Sequence, residues 1–246
     1  KVLFGKDCVM NNKEEFCELG KKALIFTGRR SAKLNGSLND VTDALNAVGI
    51  GYAVFDEVEE NPSLETLEKA AKLGIVDVFP HQVAPGGGVC GFVIGIGGGS
   101  PMDAAKGAAY LIANPEVSAD MLMKDGTYRH IPIAEIATTA GTGSETTQYA
   151  VFTLHNQGTK NGAVQKAFAD VSFLDAKYTE SLSDKVTVNT AIDALTHLIE
   201  GYTSKKANFI SDRIAEGGLK IFAECIPAIK ALDFNYEIRE KLILMS

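Results

Sequence analysis

The run Phe92-Val93-Ile94-Gly95-Ile96-Gly97-Gly98-Gly99-Ser100-Pro101-Met102-Asp103-Ala104-Ala105-Lys106 constrains this chain more than any other stretch. An apolar strand runs straight into three glycines, and a helical pattern follows at once. Ser100 stands where an N-cap would, Pro101 lies in the first turn, and Asp103 sits where a capping-box acid reaches back. Bare glycine lets a pyrophosphate approach the backbone, and a helix N-terminus offers unpaired N–H groups and a positive dipole end. Without a ligand the same run is a tight strand-to-helix turn. Three consecutive glycines cost conformational entropy, which favours the phosphate reading. Gly86, Gly88 and Gly91 also spell G-x-G-x-x-G, but they precede a strand and fail the context that the dinucleotide fingerprint requires.

Around this unit, short apolar runs alternate with helical patterns, which predicts a parallel sheet with crossover helices. Val2 to Phe4, Ala23 to Phe26, Tyr52 to Phe55, Phe92 to Ile96 and Ile131 to Ile136 read as strands. Ser37, with Asp40 three residues on, reads as the cap of a helix that closes at Gly49; another helix covers about Ser63 to Leu73. Val78 to Gly91, rich in Gly and Pro, reads as a surface loop. Beyond Tyr178 the strand signals stop, and helices are expected around Val186 to Tyr202 and Ser211 to Ala231, the second kinked at Pro227. The expected fold is therefore a Rossmann-like α/β domain over residues 1–178, followed by the start of an all-α domain over 179–246. The chain starts at Lys1 and stops at Ser246 within the helical run Tyr236 to Met245, so it reads as a truncated piece of a longer protein.

The net charge of -7 argues against a nucleic-acid partner. No apolar run reaches the roughly 20 residues needed to span a bilayer. The scattered Cys8, Cys17, Cys90 and Cys225 suit reduced thiols in the cytoplasm, the expected location.

Two further motifs carry chemistry. Ala137-Thr138-Thr139-Ala140-Gly141-Thr142-Gly143-Ser144-Glu145 follows an apolar strand and is dense in hydroxyls, which suits a ribose or phosphate at the carboxyl end of a strand, or else a turn capping the next helix. In Asp193-Ala194-Leu195-Thr196-His197-Leu198-Ile199-Glu200, Asp193 and His197 are four apart and point the same way. They could grip one cation, or form an Asp–His pair on a solvated helix face. Ile192, Leu195, Ile199 and Tyr202 are the expected apolar stripe of that helix.

Taken in order, Gly-Gly-Gly-Ser-Pro-Met-Asp-Ala-Ala-Lys, Thr-Thr-Ala-Gly-Thr-Gly-Ser-Glu and Asp-Ala-Leu-Thr-His-Leu-Ile-Glu-Gly-Tyr resemble the signatures of the iron-dependent (group III) alcohol dehydrogenases. The resemblance extends to Phe55-Asp56-Glu57-Val58-Glu59-Glu60-Asn61-Pro62, as in propanediol- and butanol-type members. It implies a dehydroquinate synthase-like fold, with the active site between the two parts. It also implies hydride transfer between NAD(P)(H) and a small primary alcohol or aldehyde, in a cytoplasmic homodimer or larger assembly. Asp193 and His197 match the first two of four ligands to Fe2+ (or Zn2+); the other two histidines of the family pattern have no match, and His81, His130 and His155 lie outside it. Gly97, Gly98, Gly99 and Ser100 would hold the pyrophosphate, and Thr138, Thr139 and Thr142 the nicotinamide side of the cofactor. Lys160 and Leu182 match cofactor-lining positions.

For the cofactor type, the strand ending at Phe26-Thr27 is followed by Gly28, Arg29, Arg30, Ser31 and Lys33, with no acid to accept a 2′-hydroxyl. Small size and positive charge there suit the extra phosphate of NADP rather than NAD. Two alternatives stay open: an inactive NADP-binding fragment, and a relative of the glycerol dehydrogenase or dehydroquinate synthase type.

Overall fold

A computed structural model of the chain describes residues 1–75 and 90–246. The predicted loop from Val78 lies outside the described residues, apart from Cys90 and Gly91 at its end. In chain order the elements are β1 (Val2–Phe4), α1 (Cys8–Asn11), α2 (Glu15–Leu19), β2 (Lys22–Thr27), α3 (Ser31–Leu34), α4 (Ser37–Ala47), β3 (Gly51–Phe55) and α5 (Leu64–Ile75). There follow β4 (Phe92–Gly97), α6 (Gly99–Ala113), β5 (Ile133–Ala137), β6 (Val151–Leu154), β7 (Thr159–Gly162) and β8 (Val171–Leu174). Three long helices close the chain: α7 (Asp184–Thr203), α8 (Phe209–Ala231) and α9 (Tyr236–Met245).

Six strands form one all-parallel sheet in the order β1-β8-β5-β4-β2-β3. Helices cover both faces, so β2, β4, β5 and β8 are buried along their whole length and their sequences carry no polar alternation. One face packs Leu67, Ala104, Ala108 and Phe152 from α5, α6 and β6. The other packs Phe16, Val41 and Leu45 from α2 and α4. Phe16, Phe92 and Phe173 meet ring to ring there, with centroids 5.2 and 6.3 Å apart. Burying each such side chain is worth roughly 1.5–3 kcal/mol.

From β2 the chain moves outward to β3, then returns past β2 to β4 and proceeds the other way. The strand order thus reverses between β2 and β4, and the crevice beyond their carboxyl ends is the place where such sheets receive ligands. A third core joins the end of the sheet to the helical part: Ala137, Ala140 and Leu174 pack on Ala191, Ala194, Phe222, Leu242 and Ile243.

Several local expectations change. Ser37 does not cap α4; Gly36, at φ 82°, precedes the helix, and Asn35 Oδ1 accepts from both the amide and the hydroxyl of Ser37. The closing glycine of that helix, Gly49, does adopt a left-handed conformation at φ 72°. Ser63 Oγ accepts from the Thr66 amide at the start of α5. Helix α8 continues past Pro227 to Ala231. The expected apolar stripe of α7 is only partly its packed face: Leu195 packs on the third core. Ile192, Ile199 and Tyr202 are exposed, whereas Thr187, Ala191 and Ala194 are buried, because small side chains let α7 approach the sheet end closely. Strands β6, β7 and β8 were not legible as strands; β8 is only four residues long and contains Ser172, whose hydroxyl is satisfied by the Glu145 carbonyl. No helix among the described residues is long and apolar enough to cross a membrane.

Candidate active-site cleft

The strand end at Gly97 delivers the three glycines to the mouth of the crevice. Helix α6 opens at Gly99, and its N-cap is Gly98, in an extended conformation with no side-chain cap. Ser100 therefore lies inside the first turn, and its Oγ accepts a hydrogen bond from the Asn61 amide at 3.0 Å. Asp103 does not reach back as a capping-box acid. It accepts from Ser144 Oγ at 2.7 Å and from the Val151 amide at 2.9 Å. Both corrections have one cause: the free helix N-terminus faces the cleft, so the polar side chains of its first turns tie neighbouring loops instead.

The two predicted nucleotide loops meet. A Cβ placed on Gly98 would lie 3.0 Å from Thr139 Oγ1, so only glycine lets the loops close to this distance. Thr138 donates its amide to the Gly97 carbonyl at 2.8 Å. Thr139 Oγ1 is buried without a hydrogen-bond partner, a polar atom left free beside the glycine loop, as a bound cofactor would require. A cleft of about 600 Å³ opens here, lined by Gly99, Ser100, Thr142 and Ser144 on the sheet side and by His197 on the helical side. Its third wall is Glu60-Asn61-Pro62. Asn61 holds a left-handed φ of 54°, a conformation that Asn tolerates better than most residues.

Beneath the cleft is a buried charge cluster that the sequence did not announce. Lys106 on α6 is 2% exposed, and its ammonium donates to Ser144 O at 2.6 Å, Ser144 Oγ at 2.9 Å and Tyr149 O at 3.0 Å. Glu135, from the middle of β5, lies 3.8 Å away and is fully buried, with neither carboxyl oxygen hydrogen-bonded. Burial pushes the Glu135 carboxyl up to about 8, against the pull of Lys106. Burial also raises Asp103 and Glu145. The only sequence signal was an acid inside the apolar run Ile133-Ala134-Glu135-Ile136-Ala137.

On α7, Asp193 and His197 share a face, with Asp193 Oδ1 4.0 Å from His197 Nε2 and each side chain half exposed. An anionic oxygen and an imidazole at this spacing suit a divalent cation. Among the described residues no third Asp, Glu, His or Cys joins them. Helix α7 approaches the hydroxyl-rich loop directly: a Cβ on Gly141 would lie 2.7 Å from the Thr190 carbonyl.

Gly28 and Ser31 sit together beyond β2, with Ser31 Oγ 3.9 Å from where a Gly28 Cβ would be. Lys33 is paired with Asp56, whereas Arg29 and Arg30 are exposed and carry no ion pair among the described residues. Of the residues expected from the sequence, Gly99, Ser100, Thr142 and His197 line the cleft; the others, Lys160 and Leu182 included, do not. Lys160 is exposed on β7, and the Leu182 carbonyl accepts from the buried Arg239 guanidinium, which also holds the carbonyls of Thr179 and Phe234.

Residues 1–176 match the iron-containing alcohol dehydrogenase family, and residues 187–246 match the C-terminal part of the Fe-containing alcohol dehydrogenases. The chain is 35% identical over 211 residues to long-chain-alcohol dehydrogenase 1 of Geobacillus thermodenitrificans, covering 84% of this chain and 50% of that protein. It is 30% identical over 228 residues to the NADPH-dependent butanol dehydrogenase of Clostridium saccharobutylicum, covering 91% and 55%. An iron-containing alcohol dehydrogenase structure from Thermotoga maritima superposes with a TM-score of 0.89 at 40% identity, covering 100% of this chain and 64% of that one. The chain thus spans about half the length of these two curated relatives.

Proposed function

Since the chain belongs to the iron-containing alcohol dehydrogenase family, we propose that it forms the dinucleotide-binding part and the first metal-binding helices of an NADP-dependent alcohol/aldehyde oxidoreductase. The observation that carries this reading is the cleft itself. Gly99, Ser100, Thr142 and His197 all line it, which supports a phosphate site at the N-terminus of α6 and a metal donor facing one space. The boundary near residue 178 then separates a nucleotide-holding sheet from a donor-bearing helix, Asp193 and His197 being the donors. A bound nicotinamide supplies or accepts hydride, and a divalent ion supplies Lewis-acid polarisation of the substrate oxygen. The chain's own residues bind and orient. The end of α6 receives the pyrophosphate, Thr138, Thr139 and Thr142 contact the nicotinamide side, and Arg29, Arg30 and Ser31 receive the 2′-phosphate.

The metal is Fe2+ or Zn2+ on this reading, the substrate a small primary alcohol or aldehyde, the assembly a homodimer or larger, and the location cytoplasmic. The relative from Clostridium saccharobutylicum, named as NADPH-dependent, supports the cofactor choice. A second reading, a dinucleotide-binding chain without turnover, rests on the donor count among the described residues, where two protein donors leave most of a metal's coordination to water. Calorimetric titration with NADP, NAD and Fe2+ separates the readings, alongside alcohol oxidation assays. NADP binding with no turnover supports the second reading, turnover supports the first, and absence of dinucleotide binding overturns both.

A further inference from the structure

The cluster under the cleft contains two buried acids, Glu135 and Glu145, a half-buried one, Asp103, and one buried base, Lys106. Asp103 is satisfied by the Ser144 hydroxyl and the Val151 amide. Lys106 spends its donors on the Ser144 and Tyr149 carbonyls and the Ser144 hydroxyl. Glu135 receives no donor at either oxygen. Its sheet neighbours are Gly95 on β4 and Ser172 on β8, neither of them charged. The charged groups facing it are Lys106 and Asp103 from α6 and Glu145 from the turn after β5. Burial without a donor, beside two other acids, favours the protonated form of Glu135 over the carboxylate.

We propose that Glu135 is a positioning residue for the nucleotide cleft, acting through Lys106 on the wall from Ser144 to Tyr149. With Glu135 protonated, the Lys106 ammonium is left to the loop and holds the wall as observed. When Glu135 loses its proton to solvent, the cation beside it is that same ammonium, 3.8 Å away. A shift of about 1 Å brings it to charge-assisted hydrogen-bond distance. The shift draws Lys106 from the carbonyls of Ser144 and Tyr149, both of which line the cleft. The closed wall and the protonated acid are therefore linked, and a ligand that needs the closed wall takes up a proton when it binds at alkaline pH. This inference rests on the proposal that the cleft is a dinucleotide site.

Two measurements on the whole chain test it. The first compares thermal stability of the wild type and Glu135→Gln across pH. Glu135 keeps its proton in the folded state up to about 8, against 4.5 when unfolded. The folded state then holds the extra proton between these values, so wild-type stability relative to E135Q falls as pH rises through this window and levels off above it. The second titrates NADP between pH 7 and 9 in buffers of different ionisation enthalpy. In the wild type, affinity falls by about tenfold for each pH unit above the titration point, with uptake approaching about one proton. In E135Q, affinity changes little over this range and no proton uptake is linked to this position. Lys106→Met should bind weakly at every pH, with the wild-type pH dependence lost; should E135Q not fold, this variant and the wild-type proton uptake still decide. Equal pH dependence in the wild type and E135Q overturns the proposal, as does NADP binding by the wild type without proton uptake near pH 8. If NADP binds to neither protein while the stability difference follows pH as stated, the nucleotide reading of the cleft has failed instead, and the buried proton is purely structural.

Discussion

At Gly28 a single side chain can decide which dinucleotide the cleft prefers. A Cβ there meets nothing closer than the Val58 carbonyl at 3.8 Å, so a side chain can leave the backbone at this position without a clash at its first atom. Gly28→Asp places an anion beside the expected 2′-phosphate and should weaken NADP by about tenfold or more while leaving NAD unchanged or tighter. Titration of both dinucleotides checks this, and an unchanged NADP/NAD ratio would move the selectivity site elsewhere. Ser100 behaves differently from its sequence reading. Because its hydroxyl holds the Asn61 amide rather than capping α6, Ser100→Ala should cost about 1 kcal/mol by denaturant titration, through the Glu60 to Pro62 wall. Gly97 to Ser100 and Thr138 to Thr142 were legible because glycine and hydroxyl signals act within a few residues of the strand end they follow. Glu135 and Lys106 were not. A lysine in an alanine-rich helix and a glutamate in a strand become partners only through tertiary packing, which spacing along the chain does not encode.

Among the elements, the parallel strands with long apolar runs were readable since burial on both faces leaves few polar residues, Glu135 being the exception in β5, to break the pattern. The hairpin of β6 and β7 was not, because β7 is exposed throughout and its residues Thr159-Lys160-Asn161-Gly162 carry no apolar alternation. Helix α7 shows the opposite failure. Its length was evident, but the face it buries was only partly readable, since the packed side combines alanines with Leu195 and Leu198 while Ile192, Ile199 and Tyr202 face out. Close packing of α7 on the hydroxyl-rich loop gives a test at this scale. A methyl group on Gly141 would sit 2.7 Å from the Thr190 carbonyl, backbone that cannot rotate away. Gly141→Ala should therefore cost about 1–3 kcal/mol in denaturant unfolding. It should also displace Asp193 and His197 relative to the cleft, read as weaker divalent-ion binding. Full stability in that variant would mean the loop and the helix are less tightly docked than this geometry requires.

At the level of the whole molecule, the two kinds of binding group come from different layers. The groups proposed for the pyrophosphate belong to β4, α6 and the loop after β5, held by the sheet cores and the Lys106 cluster. The donors proposed for the metal belong to α7, held to the sheet end through the third core. No side-chain hydrogen bond among the described residues joins Asp193 or His197 to the glycine loop, so neither group should need the other to be occupied. Dinucleotide affinity of this chain should then change by less than about twofold on adding a chelator, an energy difference of roughly 0.4 kcal/mol. Metal binding should respond to pH in the opposite sense to the nucleotide. Protons compete with the ion for the Asp193 carboxylate and the His197 imidazole, so metal affinity falls as the solution is acidified, whereas the Glu135 linkage weakens nucleotide binding as it is made alkaline. Parallel titrations of Fe2+ and NADP at acidic and alkaline pH measure both slopes on one preparation. If the chelator abolishes NADP binding, or both affinities move together with pH, the two groups share one site rather than facing each other across the cleft.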